Sequence, residues 1–118
     1  MSQRAPERTP VVAVGILELC FWMCRQRLRV RVEGDSMQPT LHDGDHVLVR
    51  TQPRAKPNEI VLCRHPFKKD VRLIKRIESI DETGAFLLGD ALSESTDSRS
   101  FGIVPWGHII GVVTSKMA

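Results

Sequence analysis

Short segments in which apolar and polar residues alternate, separated by turn signals, are the feature that most limits how this chain can fold. Turns are predicted near residues 34–35, 43–45 and 81–84, where glycine and acidic residues cluster. The predicted strands are Leu28–Val32, His46–Arg50, Glu59–Arg64, Val71–Ile80, Ala85–Leu88 and Ile109–Thr114. Between these strands we expect a loop over residues 51–58, a hairpin connection over residues 65–70 and an irregular polar stretch over residues 89–100. Many short strands at this spacing are typical of a mainly β domain.

The 118 residues are enough for one domain and too few for two. We expect an N-terminal segment, residues 1–27, followed by a single globular domain, residues 28–118. Thr9 and Pro10 favour a helix start, with the helix running over residues 11–25. This helix either packs on the sheet or contacts a membrane surface, helped by the arginines that follow it. Its apolar stretch, residues 11–23, is shorter than the ~20 residues of a membrane span and resembles no signal peptide.

The amino-acid composition excludes some classes of binding partner and site. Tyr is absent and aromatic residues make up 5% of the chain, which argues against a nucleic-acid platform. The odd, low number of cysteines (Cys20, Cys24 and Cys63) favours buried thiols in a reducing compartment. No spacing of ligands predicts a metal site. We therefore expect a cytoplasmic protein, with peripheral membrane contact through residues 11–25 as an open possibility.

Strand alternation places one lysine in an unusual position. In the predicted strand Val71–Ile80, Lys75 shares a face with Leu73 and Ile77, while the arginines and Glu78 project from the other face. Burial disfavours the ammonium form and lowers a lysine's pKa, which would make a neutral amine available as a base. On the strand pattern alone, a lysine that extends to the sheet edge is the more common arrangement.

Ser36 follows Gly34 and Asp35 at a predicted turn, and Pro39 stiffens the segment after it. A serine in such a place is usually a turn former, although a nucleophile also belongs on a rigid exposed turn. No G-x-S-x-G motif and no Ser-His-Asp set stands out among the four histidines. If Ser36 is activated, a lysine is the simplest partner.

Three blocks, taken in order, resemble the type I signal peptidase family. Residues 34–41 with Gly44-Asp45 resemble its nucleophile box, and residues 72–77 resemble its lysine box. Gly89-Asp90, residues 95–102 and Val104-Pro105 resemble its third box. The resemblance covers roughly residues 28–115 and implies a β-rich serine endopeptidase that acts on a protein substrate without a cofactor.

The resemblance also implies roles for individual residues. Ser36 would be the nucleophile, with its backbone N–H in the oxyanion hole, and Lys75 would be the general base. Ser95 would orient Lys75, and Asp97 with Arg99 would form a supporting ion pair. Two positions depart from the family pattern: Gly34 stands where some members have a second oxyanion donor, and Ala91 stands where asparagine is usual.

The short chain, Arg64-His65-Pro66 and residues 94–99 resemble the maturation proteases of nickel-type superoxide dismutase. The implied substrate is the N-terminal propeptide of that dismutase. Three alternatives remain: a membrane-surface signal or leader peptidase, a self-cleaving repressor-type domain, and a non-catalytic β-rich binding module. The repressor-type alternative needs a cleavage linker before the serine, and no Ala-Gly or Cys-Gly pair precedes Ser36.

Overall fold

The computed structural model describes residues 27–117. Its seven strands are β1 (Arg27–Arg31), β2 (His46–Thr51), β3 (Ile60–Arg64), β4 (Arg72–Ile80), β5 (Gly84–Leu88), β6 (Val104–Pro105) and β7 (Ile109–Met117). All six strands predicted from the sequence are present, most with bounds shifted by a residue. The mainly β fold class is therefore confirmed. The predicted helix over residues 11–25, with Cys20 and Cys24, lies outside the described residues.

The strands form one antiparallel sheet in the order β1-β2-β7-β3-β4-β5-β6. The last strand, β7, inserts between β2 and β3 and so joins the two hairpin regions of the sheet. It extends to Met117 rather than the predicted Thr114, because its end pairs with β2 as far as His46. β1 lies at one edge of the sheet.

Apolar side chains pack on both faces of the central strand β3. Val61 and Cys63 belong to one buried cluster with Ile77 and Leu87. Leu62 belongs to a second cluster, which includes Val47, Val49 and the fully buried Met37. Alternate residues of a strand point to opposite faces, and both faces of β3 are buried. The residues of β3 are therefore apolar from Ile60 to Cys63, without alternation.

The segment predicted to be irregular, residues 89–100, contains local helical structure. A 3₁₀ turn spans Leu92–Glu94, and a short helix, α1, spans Ser98–Phe101. The Asp97 side chain caps α1 by accepting the backbone N–H of Arg99, and Gly102 ends the helix at φ +81°. The prediction missed this helix because the polar residues that favour a loop also cap a helix.

β4 has two different neighbours along its length. Residues Arg72–Arg76 pair with β3, whereas pairing with β5 begins only at Arg76 and runs to Ile80. Within the described residues, the β5-facing edge of Arg72–Lys75 therefore has no strand partner. This open edge lies beside the turn that carries Ser36.

Candidate active site

Lys75 is a buried lysine on the core face of β4. It is 4% exposed and lies between Leu73 and Ile77, which both pack in the same apolar cluster. Burial lowers the pKa of Lys75, and the charge of Arg99 lowers it further, while Asp97 acts in the opposite direction. The strand alternation predicted this face, and the lysine stays within the protein interior rather than reaching the sheet edge.

A chain of hydrogen bonds leads away from the Lys75 amine. Lys75 Nζ donates to Ser95 Oγ at 3.1 Å, and Ser95 Oγ donates to Asp97 Oδ2 at 2.8 Å. Asp97 is 1% exposed and is held by Arg99 through Nε at 2.9 Å and Nη2 at 3.1 Å. The contacts that the resemblance implies among these four residues are present, and they fix the position of Ser95 beside the amine.

The Asp97 carboxylate is charged although it is buried. Burial by itself raises the pKa of Asp97, but hydrogen bonds from Arg99, the Gly89 amide and Ser95 outweigh it and lower the pKa to about 2. The negative charge of Asp97 is therefore separated from the Lys75 amine only by the Ser95 hydroxyl, which bonds to both.

Ser36 lies at the start of a turn that spans residues 36–40 and is partly buried. It lines a groove of about 350 Å³ whose lining also includes Lys75. The remaining lining residues are Val30, Arg31, Val32, Glu33, Met37, Leu62, Arg72, Leu73 and Ile74. The groove thus runs between the end of β1 and the start of β4, with the predicted nucleophile and base in its lining.

Gly89 holds the nucleophile turn against the third box, a role that the sequence did not reveal. A Cβ at this position would lie 2.6 Å from the Ser36 carbonyl oxygen and 2.3 Å from Ser95 Oγ. The next contact is a backbone hydrogen bond from Ala91 N–H to the same carbonyl, at 2.9 Å. Glycine is required here because the two segments approach too closely for any side chain.

A second polar network joins all three blocks and was also missed. Asp90 accepts Thr40 Oγ1 at 2.6 Å and both Nε and Nη2 of Arg76, at 2.9 and 2.8 Å. Arg76 Nη1 also donates to the Asn58 carbonyl at 2.8 Å. The signal was available in principle, since Thr40, Arg76 and Asp90 each lie within one of the three blocks that resemble the family.

Gly34 and Ala91, the two positions that depart from the family pattern, each donate a backbone hydrogen bond to a nearby segment. Gly34 has φ +85°, a conformation that side chains rarely adopt, and its N–H donates to Asp43 Oδ1 at 2.7 Å. Ala91 contributes its backbone N–H to Ser36, a bond that does not depend on the side chain. Neither departure disturbs the hydrogen-bond chain at Lys75.

Cys63, the third cysteine, is a fully buried free thiol, and burial raises its pKa to about 12. Among residues 27–117, no group of three or more histidine, cysteine or acidic residues could hold a metal ion. Across the same range, no helix is long and apolar enough to cross a membrane.

Comparison with known proteins identifies the family. The model of the Peptidase S24-like family matches residues 22–113, a range that contains the groove and all five predicted site residues. The chain belongs to the Peptidase S24-like family. It is therefore a peptidase domain, and its substrate is a protein.

Two curated relatives of this Peptidase S24-like chain are named mitochondrial inner membrane protease subunit 1. The mouse protein is 28% identical over 112 residues, covering 75% of this chain and 68% of the relative. The Xenopus tropicalis protein is 27% identical over 108 residues, covering 71% of this chain and 65% of the relative. The chain thus spans about two thirds of the length of the curated relatives it matches. Their similarity agrees with the signal-peptidase-like resemblance of the sequence blocks.

Proposed function

We propose that this chain is a serine endopeptidase in which Ser36 is the nucleophile and Lys75 the general base. The observation that carries the proposal is the burial of Lys75, a residue only 4% exposed, whose amine binds Ser95 in a groove that Ser36 also lines. A lysine desolvated in this way has a larger neutral fraction near neutral pH, and the neutral amine keeps a lone pair while donating to Ser95.

The chemistry follows in two half-reactions. Ser36 Oγ attacks the scissile carbonyl carbon as its proton passes to Lys75 Nζ. The protonated amine then gives that proton to the leaving nitrogen, and the peptide C–N bond breaks to leave an ester on Ser36. Water attacks the ester with Lys75 again accepting a proton, which returns to Ser36 as the acid product leaves. Ser95 keeps the amine in place through both halves.

The carbonyl oxygen becomes negatively charged in each half-reaction. The backbone N–H of Ser36 is the proposed donor to that oxyanion, because the turn presents it beside the attacking hydroxyl. Gly34 has no side chain to add a second donor, and its own N–H is already bound to Asp43.

The substrate would bind as an added strand. The groove is bordered by the edge strand β1 and by the β5-facing edge of Arg72–Lys75, which has no strand partner in the described part of the chain. Extended peptides bind such edges through main-chain hydrogen bonds, with alternate side chains in contact with the walls. This mode would bring a scissile bond to the Ser36 end of the groove.

The substrate proposed is the N-terminal propeptide of nickel-type superoxide dismutase, processed in the cytoplasm. Its support is the resemblance carried by residues 64–66 and 94–99. A second candidate is a signal or leader peptidase acting at a membrane surface through residues 11–25. The names of the curated relatives, which are inner membrane protease subunits, favour that candidate.

Incubation of the purified chain with a nickel superoxide dismutase precursor, followed by intact mass, tests the proposal. We expect one cleavage that leaves an N-terminal histidine and that Ser36→Ala and Lys75→Met both abolish. Ser79→Ala and Lys69→Met are matched controls, since both residues are exposed and lie away from the groove.

The other outcomes separate the alternatives. Cleavage of a secretory precursor but not of the dismutase precursor would favour the leader peptidase. Cleavage of the chain itself, before Ser36, would favour the repressor-type domain. A folded protein that cuts neither precursor nor itself would contradict the enzymatic proposal and favour a binding module.

A further inference from the structure

The side chain of His65 closes the hairpin connection between β3 and β4. Its ring Nδ1 accepts two backbone N–H groups, those of Phe67 and Lys68, each at 3.0 Å. The backbone N–H of His65 also donates to the Val71 carbonyl at 2.8 Å, which joins the two ends of the connection. One residue therefore holds together the hairpin that leads directly into Arg72–Lys75, the segment of β4 that lines the groove.

The same ring contacts α1, the helix that Asp97 caps. The centroids of the His65 and Phe101 rings are 4.9 Å apart, with an angle of 57° between the two planes. Phe101 packs against the same apolar cluster as Leu73, which lines the groove. His65 therefore connects the hairpin to α1 at the point where the open edge of β4 begins.

Both side-chain bonds require the neutral form of the imidazole. A ring nitrogen that accepts N–H groups carries no proton, so the ring proton lies on Nε2. A protonated ring would direct an N–H at two other N–H groups, and both bonds would be lost. Burial and the charge of Lys68 lower the pKa of His65 below its ordinary 6.5, so the neutral form prevails at neutral pH.

The other charged or titratable side chains of the hairpin, the adjoining strand ends and α1 are Cys63, Arg64, Lys69, Asp70, Arg72 and Arg99. Within residues 27–117, none of them bonds to the His65 ring. Arg99 is held by Asp97, and the thiol of Cys63, with a pKa of about 12, stays neutral wherever histidine titrates. The backbone bonds to Nδ1 are therefore the contacts that protonation of His65 would break.

We infer that His65 is a positioning residue for the substrate-binding edge of β4 and that it acts only in its neutral form. The inference rests on the proposed function, in which a substrate strand binds along Arg72–Lys75, and it adds a pH control to that binding. In acid the hairpin would open, and the edge would lose the contacts that fix its start. Substrate affinity should therefore fall with pH separately from protonation of Lys75, which acts on the chemical step.

Amide NMR spectra of the Ser36→Ala protein between about pH 8 and about pH 5, the range in which histidine titrates, test the two bonds directly. We expect the Phe67 and Lys68 signals to shift together with one midpoint below 6.5. In the additional variant His65→Asn both signals should stay constant, because an asparagine side chain can accept the same N–H groups without titrating. His42→Asn is the matched control, since His42 is exposed and does not line the groove, and it should leave the titration unchanged. Constant signals with His65 in place would overturn the inference.

Binding of a peptide that spans the cleavage site, with its histidine replaced by glutamine, tests the positioning role over the same pH range. For the Ser36→Ala protein we expect Kd to rise about fivefold in acid, the effect of one hydrogen bond. Adding His65→Leu, which keeps an apolar side chain beside Phe101, should give the weaker binding at every pH. Adding His65→Asn should restore the tighter binding at every pH. Binding that is absent, or that has the same pH dependence in all three proteins, would overturn the positioning role.

Kinetics of the wild-type chain separate this inference from the proposed function. KM should follow the titration of His65, whereas kcat should follow that of Lys75. If the wild-type chain cuts no peptide while the NMR and binding changes are observed, the peptidase mechanism alone is contradicted. If the chain cuts the peptide with a KM that is constant across this range, the inference about His65 alone is overturned.

Discussion

Lys75 is held by neighbours on its own strand and by a distant residue: Leu73 and Ile77 of β4 flank it on the apolar face, and Ser95 binds its amine. Alternation along β4 predicted its apolar face, because the residues two before and two after it are aliphatic. The hydrogen bond to Ser95, 20 positions away, has no local signal. Only the resemblance implied it. The close packing at Gly89 was missed by both, because a glycine required by a distant backbone looks like any turn glycine.

Replacement of Lys75 by methionine should stabilise the fold in a pH-dependent way. The folded-state pKa of Lys75 lies below the ordinary 10.5, so the unfolded chain binds this proton more tightly. The resulting destabilisation is complete below the lowered pKa and disappears as pH rises from that value to 10.5. Lys75→Met should therefore raise the free energy of unfolding by about 1 kcal/mol near neutral pH, and less toward pH 10.5.

Urea unfolding of the wild-type and Lys75→Met proteins across that range measures the difference. Lys69→Met, at an exposed position, should show no such trend. A difference that stays constant up to pH 10.5 would contradict the lowered pKa.

Gly89→Ala should damage both the fold and the proposed activity. The new Cβ would lie within 2.6 Å of the Ser36 carbonyl oxygen and closer still to Ser95 Oγ, so one segment must move. We expect a loss of about 1–3 kcal/mol in the free energy of unfolding and a larger relative loss in kcat. Gly107→Ala is the control, because no atom lies within 4 Å of the added Cβ there. Equal behaviour of the two variants would argue against the close contact.

At the level of elements, local patterns predicted strands well and short irregular structure poorly. β2, β3 and β4 have alternating or continuous apolar residues bounded by turn signals, which is enough to locate them. β6 has only two residues, Val104 and Pro105, and no pattern can be read from so short a strand. β5 pairs only with the second half of β4, from Arg76 onward. The sequence of β4 alone cannot predict where this pairing ends.

Asp90 should act as a positioning residue, since it connects Thr40 in the nucleophile turn to Arg76 on β4. Hydrogen bonds from Arg76 lower the pKa of Asp90, so its stabilising effect is present above pH 3.8 and is lost as pH falls through the lowered pKa. We expect Asp90→Asn to reduce the free energy of unfolding by about 1–2 kcal/mol at neutral pH, and less in acid.

The same substitution should lower kcat roughly tenfold with little change in KM, because a small shift of the Ser36 turn misplaces the proposed nucleophile. Steady-state kinetics with the cleaved precursor measures this. Asp70→Asn, at an exposed position in the hairpin connection, should leave both kinetic constants unchanged. A rise in KM alone would assign Asp90 to substrate binding instead.

For the whole molecule, the site depends on three segments that are distant in the sequence. The nucleophile turn, the start of β4 and the α1 region meet through the backbone contact at Ala91 and the networks of Asp90 and Asp97. Periodicity reports only local structure, so it could not predict this meeting. The order of the blocks suggested it through resemblance, while the sheet order with β7 in the middle had no sequence signal.

Asp97 should dominate the loss of stability in acid. Its pKa is lowered from 3.8 to about 2 in the folded protein, so its contribution is present above pH 3.8 and is lost toward pH 2. The shift corresponds to about 2 kcal/mol. Acid unfolding followed by circular dichroism should therefore show a weaker pH dependence between these values for Asp97→Asn than for the wild type. Glu78→Gln, on the exposed part of β4, should leave the slope unchanged.

The open edge of β4 has a consequence for the protein's behaviour in concentrated solution. The free N–H and C=O groups of an unpaired strand edge can bind any extended chain, including another copy of the same protein. Arg72 is an exposed cation on this edge segment, so two copies that paired edge to edge would bring like charges together. That charge would oppose sheet pairing between copies of the folded protein.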